Sequence, residues 1–452
     1  MNIIVVGCGK IGTAIISELT GEGHDVTAID NNAAILNEVT NIYDVMSICG
    51  NGADCGTLEE AQVDKADLFV SVTDSDELNM LSCFLAQKMG AGHTIARIRN
   101  PEYNDRSLGF MKQHLGLSLA INPELLVAQE IYNILKFPSA VKLEYFSRRN
   151  FEMVEIKLSD DSDLDGIKIN KMREKYKANY LIGAVRRGEE VFIPDGSFEL
   201  KSGDKIGITA APSEIYKLLK QLGLLKKQAN SVMILGGGKT TYYLSKMLCN
   251  IGINTKIIEI DEKRCEILGA LVPKAVVIHG DGTKQELLIE EGLNEQDAFV
   301  ALTGMDEENI LMSIFAFMQS VEKVISKVNK DELSSLSESI GLESIISPKE
   351  VTSSIVLRYA RALENTKGSN VETLYRLMDG RVEALEFIVN EESAVTGVTF
   401  KELNLKNNIL IAGIIRNRKP IIPSGDDMIM VGDRVVVLVS GHLLHGISDI
   451  LK

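Results

Sequence analysis

Two stretches 229 residues apart carry nearly the same sequence, and this doubling restricts the fold more than any other feature. IIVVGCGKIGTAI (3–15) recurs as VMILGGGKTTYYL (232–244), with Gly7 aligned on Gly236. The same spacing takes Asp30 to Glu259, Pro194 to Pro423 and Asp204 to Asp433. GNGAD (50–54) pairs with GDGTK (280–284), and VTDSDELN (72–79) with LTGMDEEN (302–309). Late in each half, LIGAVRRGEEVFIPDG (181–196) matches LIAGIIRNRKPIIPSG (410–425). A repeat this long means two copies of a two-domain unit, not a solenoid of short modules. The 452 residues therefore read as four domains, spanning 1–140, 141–225, 230–370 and 371–452.

Within each larger domain, short Val/Ile-rich strands such as MNIIVV, DVTAID and DLFVSVT alternate with amphipathic helical segments. That alternation argues for an α/β fold with a doubly wound parallel sheet. INPELLVAQEIYNIL (121–135) reads as a helix capped by Asn122 with Pro123 in its first turn, and ISPKEVTSSIVLRYA starts the same way. The smaller domains share a strand, helix, strand, polar turn, strand order. The polar segment KKQAN (226–230) is the expected linker between the halves.

The glycine loops carry the chemistry. GKT at 238–240 suggests a phosphate-binding P-loop, but that motif needs a glycine five residues before Gly238, and Met233 stands there. The first-half loop is instead a full G-x-G-x-x-G after a strand. Gly7 allows the tight turn, Gly9 lets a pyrophosphate approach the backbone, and Gly12 lets the helix pack on the strand. The helix N-terminus then presents amides and a positive dipole end to the phosphates. Asp30 ends the second strand, where a carboxylate takes ribose hydroxyls and repels a 2′-phosphate, so NAD(H) is favoured over NADP(H). The first-half candidates for cofactor binding are Gly7, Cys8, Gly9, Lys10, Ile11, Gly12, Asp30, Asn51, Thr73, Asp74, Asn79 and Arg97. Lys10 itself reads as a solvated lysine at the loop edge. Asp76 and Glu77 read as first-turn acids that favour the helix dipole.

The second-half candidates are Gly236, Gly238, Lys239, Thr241, Glu259, Asp281 and Thr303. Thr241 puts a Cβ where close packing wants glycine, so this half either binds a nucleotide (ADP or ATP as readily as NAD) or is vestigial. Arg97 and Arg99 become Lys327 and Asn329, which breaks any shared charge-based role.

A formal net charge of −15 argues against a nucleic-acid partner, whose phosphates need dense Lys/Arg. No apolar run reaches the roughly 18 residues of a membrane span, and the first strand begins at once, so neither a transmembrane segment nor a signal peptide is expected. Six cysteines without a C-x-x-C pair read as free thiols in a reducing compartment. None of the six histidines (24, 93, 114, 279, 442, 445) joins a catalytic constellation that recurs in the repeat, so a binding or regulatory protein is expected rather than an enzyme. An NAD-dependent oxidoreductase and a stand-alone nucleotide sensor remain the alternatives.

The doubled plan, with IIVVGCGKIGTAI, TAID, GNGAD, SVTDSDELNM and ARIRNPEY followed by LIGAVRRGEEVFIPDG, resembles the TrkA family of Trk potassium-uptake systems. The resemblance covers the whole chain. It implies two RCK units, each a Rossmann-like nucleotide-binding domain followed by a small α+β TrkA C-terminal (RCK-C) domain. It further implies NAD(H), with ATP or ADP as alternatives; no metal-ligating or catalytic residues are expected. The implied partner is a Trk-type membrane potassium channel, beneath which the chain assembles as a homo-oligomeric ring, a tetramer of tandem chains. Its place would be cytoplasmic, peripheral on the inner face of the cell membrane.

Overall fold

A computed structural model describes residues 1–103, 105–136, 142–146, 151–159, 162–225, 228–342, 344–365, 371–378, 380–442, 444 and 446–452. Of the expected linker KKQAN, residues 226–227 lie outside the described residues, as do the expected domain boundaries at 140–141 and 370.

Strands β1 (Asn2–Val6), β2 (Asp25–Asp30), β3 (Met46–Cys49), β4 (Leu68–Ser71), β5 (His93–Arg97) and β6 (Leu119–Ile121) form one parallel sheet, ordered β3-β2-β1-β4-β5-β6. Next come β7 (Lys142–Phe146), β8 (Phe151–Lys157), β9 (Tyr180–Arg187), β10 (Glu190–Phe192) and β11 (Lys205–Ala210), an antiparallel sheet ordered β10-β9-β11-β8-β7. The second half repeats both. Strands β12 (Ser231–Leu235), β13 (Asn254–Glu259), β14 (Val276–His279), β15 (Ala298–Ala301), β16 (Lys323–Lys327) and β17 (Ser344–Ile346) give the same parallel order, β14-β13-β12-β15-β16-β17. Strands β18 (Val371–Leu377), β19 (Val382–Ile388), β20 (Ile409–Arg416), β21 (Lys419–Ile421) and β22 (Arg434–Val439) form the last sheet, ordered β18-β19-β22-β20-β21. The doubly wound class expected from the alternation is therefore present twice.

The central strands β4 and β15 are buried at every residue, as a parallel sheet covered on both faces by helices requires. The order reverses between β1 and β4, and between β12 and β15, so a crevice opens at the carboxyl ends of these strands. Asn122 caps the helix Pro123–Lys136 by accepting from the Leu125 amide at 3.0 Å. Ser347 plays the same part for the helix Pro348–Asn365.

Compactness divides the chain across the repeat rather than between its copies. One unit holds Met1–Tyr132 with Asn230–Ala360, the two parallel-sheet domains; the other holds Asn133–Ala229 with Arg361–Lys452. In the first unit the halves meet through a hydrogen bond from Asn122 Nδ2 to the Tyr243 hydroxyl at 3.0 Å, and through the Tyr359 hydroxyl and His93 Nδ1 at 3.1 Å. In the second unit Met153, Ala184, Leu377, Met378, Ala412 and Leu438 share one buried core drawn from both small domains. The buried Glu155 there accepts the Met378 amide at 2.9 Å.

Each small domain is also fastened by a two-pronged ion pair, a feature the GD turns alone did not announce. Asp204, fully buried, accepts Arg187 Nε and Nη2, both at 2.8 Å, and the Lys201 amide. Asp433 repeats this with Arg416 and the Met430 amide. Bidentate charge-assisted bonds of this kind hold both geometry and charge, and each carboxylate raises its arginine's pKa mainly through the direct hydrogen bond.

Candidate nucleotide-binding cleft

The first-half loop owes its shape to its glycines. Gly7 has φ +91°, and a Cβ there would lie 2.9 Å from the Thr73 amide nitrogen. Gly12 sits so close beneath the loop that a Cβ would come within 1.8 Å of the Gly7 carbonyl oxygen. Gly9, at the start of the helix Lys10–Gly21, faces open space. The Asp30 carboxylate pins the loop from below, accepting the Cys8 amide at 2.7 Å through one oxygen and the Asn32 amide at 2.9 Å through the other.

Above the loop lies a cavity of about 740 Å³. Gly7, Gly9, Lys10, Ile11, Asp30, Asn51, Thr73, Asp74 and Arg97 line it, so these candidates converge. Three others do not reach it. Cys8 is buried, its thiol pushed up to about 12 by burial and then by the nearby Asp30 charge, and it acts through its backbone amide. Gly12 serves packing. Asn79 is fully buried, with every polar atom of its side chain engaged by the protein. Its Oδ1 accepts the Thr73 amide at 2.8 Å and the Thr73 hydroxyl at 2.7 Å, while Nδ2 donates to the carbonyls of Thr73 and Arg97. It positions two cavity residues instead of touching a ligand. Asp76, expected as a first-turn acid, is likewise buried and accepts the amides of Arg99 and Asn100 at 2.9 and 2.8 Å.

The cavity also has a wall the sequence did not disclose. Thr240, Lys327, Asn329, Pro348 and Lys349, all from the second half, line it. Lys327 and Arg97 occupy matching places at the ends of β16 and β5, and both face this one cavity. Burial lowers the pKa of Lys327, with Asp306 and Glu124 opposing more weakly. Among the described residues, the Lys327 ammonium donates to the Leu302 carbonyl alone, at 3.4 Å. Arg97 is lowered by burial and then by Arg99. Its Nη1 stands 3.7 Å from Asp74, and its Nε is buried with no hydrogen-bond partner among the described residues. Two desolvated cations with incomplete counter-charges beside a glycine-rich helix N-terminus fit the pyrophosphate of a dinucleotide.

The second-half loop is built differently. Gly236 keeps the turn, with φ +96°. Thr241 is fully buried, and its hydroxyl donates to the Gly236 carbonyl. The Cβ that packing disfavours is thus tolerated by tying it to the loop, and the hydroxyl is engaged within the protein. Glu259 accepts the Gly237 amide and, at 2.8 Å, the Asp261 amide. Lys239 opens the helix Lys239–Asn250 behind Gly238. Thr303 is held by Asn309 as Thr73 is by Asn79, and Asp281 accepts the Thr283 amide and hydroxyl in its own turn. A residue that pattern-reading passed over, Arg264, donates Nε to the Gly237 carbonyl at 2.6 Å.

Models of the TrkA-N domain match residues 3–123 and 232–348, and models of the TrkA-C domain match 153–223 and 384–452. The chain belongs to the TrkA family. It is 31% identical to the Trk system potassium uptake protein TrkA homolog of Archaeoglobus fulgidus, over 100% of both chains. With the Trk system potassium uptake protein TrkA of Haemophilus influenzae it shares 30% identity over 97% of this chain and 96% of that one. A solved structure of the GsuK channel bound to NAD matches 97% of this chain and 77% of its own, with TM-score 0.63 and 16% identity, a likeness of fold alone. No helix among the described residues is long and apolar enough to cross a membrane.

Proposed function

We propose that this chain is the nucleotide-sensing regulatory subunit of a Trk-type potassium channel, binding NAD(H) in the first-half cleft. One observation carries the reading: a complete loop, helix and acid set opens into a cavity whose cations, Arg97 and Lys327, come from both halves. Lys10 and the helix amides behind Gly9 would face the pyrophosphate, Asp30 the adenosine ribose, and Arg97 with Lys327 the remaining phosphate charge. The bound nucleotide supplies no chemistry to the chain; it supplies binding free energy. Because the cleft has walls from two domains, a ligand prefers one placement of them over another, and a ligand shifts an equilibrium only through such a preference. ATP or ADP fits the same cations without the nicotinamide half. On this reading such chains form a cytoplasmic ring under the channel and work by gating rather than by catalysis, a picture that the potassium-uptake names of the relatives support.

Calorimetric titration of the full chain with NADH, and separately with ATP, tests the binding reading by affinity and sites per chain. Co-purification with a Trk-type channel, and a nucleotide-dependent change in its potassium flux after reconstitution, tests the gating. Failure of both nucleotides to bind overturns the sensor. Turnover of NADH with any co-purifying substrate would favour an oxidoreductase.

A further inference from the structure

We propose that Arg264 keeps NAD(H) out of the second-half cleft, so that each chain holds one dinucleotide and not two. The inference rests on the reading of the first cleft as an NAD(H) site. Arg264 stands where the first half has Ile35, 229 residues earlier, and Ile35 lines the first cavity. An apolar wall has therefore been exchanged for a guanidinium at the place matching the adenosine side of the loop.

The exchange has a local cause. In the first half the Cys8 carbonyl is bonded by the Thr13 hydroxyl at 2.9 Å. The residue matching Thr13 is Tyr242, whose ring packs against Tyr243 with centroids 5.0 Å apart. Gly237, the counterpart of Cys8, takes its carbonyl partner from Arg264 instead. Its amide is meanwhile held by Glu259, the carboxylate that matches the ribose-binding Asp30. The guanidinium is thus anchored on the same residue, Gly237, as the carboxylate that matches Asp30. Admitting an adenosine there means pulling Arg264 away and leaving the Gly237 carbonyl without its donor, a loss the ligand's hydroxyls, already competing for Glu259, do not make good.

The test is calorimetric titration with NADH of the full wild-type chain, Arg264→Ile and Arg264→Ala, with thermal melts confirming that each variant folds. The expected result is one site per wild-type chain and two in both variants. Two sites in the wild type, or one site retained in both folded variants, overturns the proposal. No site in the wild type with one gained in a variant upholds the role of Arg264 while removing the first-cleft reading. No site in any of the three chains overturns both.

Discussion

Gly12 and Gly9 separate the two jobs of the dinucleotide loop. In Gly12→Ala the new Cβ would lie 1.8 Å from the Gly7 carbonyl oxygen and 2.9 Å from its carbon, both backbone atoms. A relaxed carbon–oxygen contact is roughly 3.3 Å, so loop and helix must part by about 1.5 Å. Overpacking of this kind costs about 1–3 kcal/mol. The same displacement moves the helix amides away from the pyrophosphate. Weakening one or two bonds to a charged group, each worth about 1.5–3 kcal/mol, lowers affinity by roughly ten- to a hundredfold or more, at 1.4 kcal/mol per factor of ten. In Gly9→Ala the Cβ meets nothing within 4 Å, and the backbone there is extended, so stability changes little. The methyl nevertheless stands where phosphate must approach. The expected pattern is a loss of both urea stability and NADH affinity for Gly12→Ala, and of affinity alone for Gly9→Ala. Wild-type affinity in either variant would refute the placement of the pyrophosphate on this loop.

Asp30→Asn, which keeps an acceptor but loses the charge, should weaken NADH at least several-fold and narrow the preference over NADPH, measured by parallel titration. Lys327→Met should weaken NADH and ATP without abolishing the fold. In the wild type, burial lowers the free Lys327 pKa and a bound anion raises it, so binding takes up a proton and affinity falls as pH climbs through that window. Titration in buffers of different ionisation enthalpy reads the proton, and the methionine variant should lose it. The sign for folding is opposite: between the lowered value and the ordinary 10.5 the unfolded chain holds more protons, so wild-type stability rises with pH relative to Lys327→Met. Asp433→Asn should cost roughly 2–3 kcal/mol in urea denaturation, kept below the full buried-pair loss because about a third of the Arg416 side chain is exposed.

The parts of the molecule that were legible beforehand are those encoded locally. Gly7, Gly12 and Asp30 declare a strand–loop–helix unit because each answers a constraint within thirty residues of chain, and the structure meets those constraints within the same domain. Asn79 was misplaced for a related reason. An amide just inside a helix at a sheet's carboxyl edge looks like a ligand contact, and only the fold reveals that its five hydrogen-bond partners are backbone and hydroxyl groups. Arg264 went unnoticed because it lies outside the glycine motif, and its partner, a carbonyl 27 residues earlier, leaves no mark in the sequence. The far wall of the first cleft was invisible in principle. In sequence Lys327 is the counterpart of Arg97 in the other copy, whereas in the structure both line the same cavity.

That shared cleft gives the doubled chain a reason to pair like with like. The ends of β5 and β16 are each fixed to their own domain by the same device, Asn79 holding the Arg97 carbonyl and Asn309 holding the Lys327 carbonyl, both at 2.9 Å. On the proposed reading, a diphosphate that engages Arg97 and Lys327 together is therefore tied to the ends of two sheets, one in each domain. The attraction of each cation for the anion is strengthened by the burial that lowers their pKa values, and it is available only when the two domains bring both charges within reach. On that reading, occupancy and domain placement become one equilibrium. A duplicated chain secures this in a way that a symmetric pair of single units does not. On the proposed reading, one copy keeps Ile35 on the adenosine side of its cleft while the other engages the matching position, Arg264, on its own loop, and a single ligand then sets the geometry of both halves.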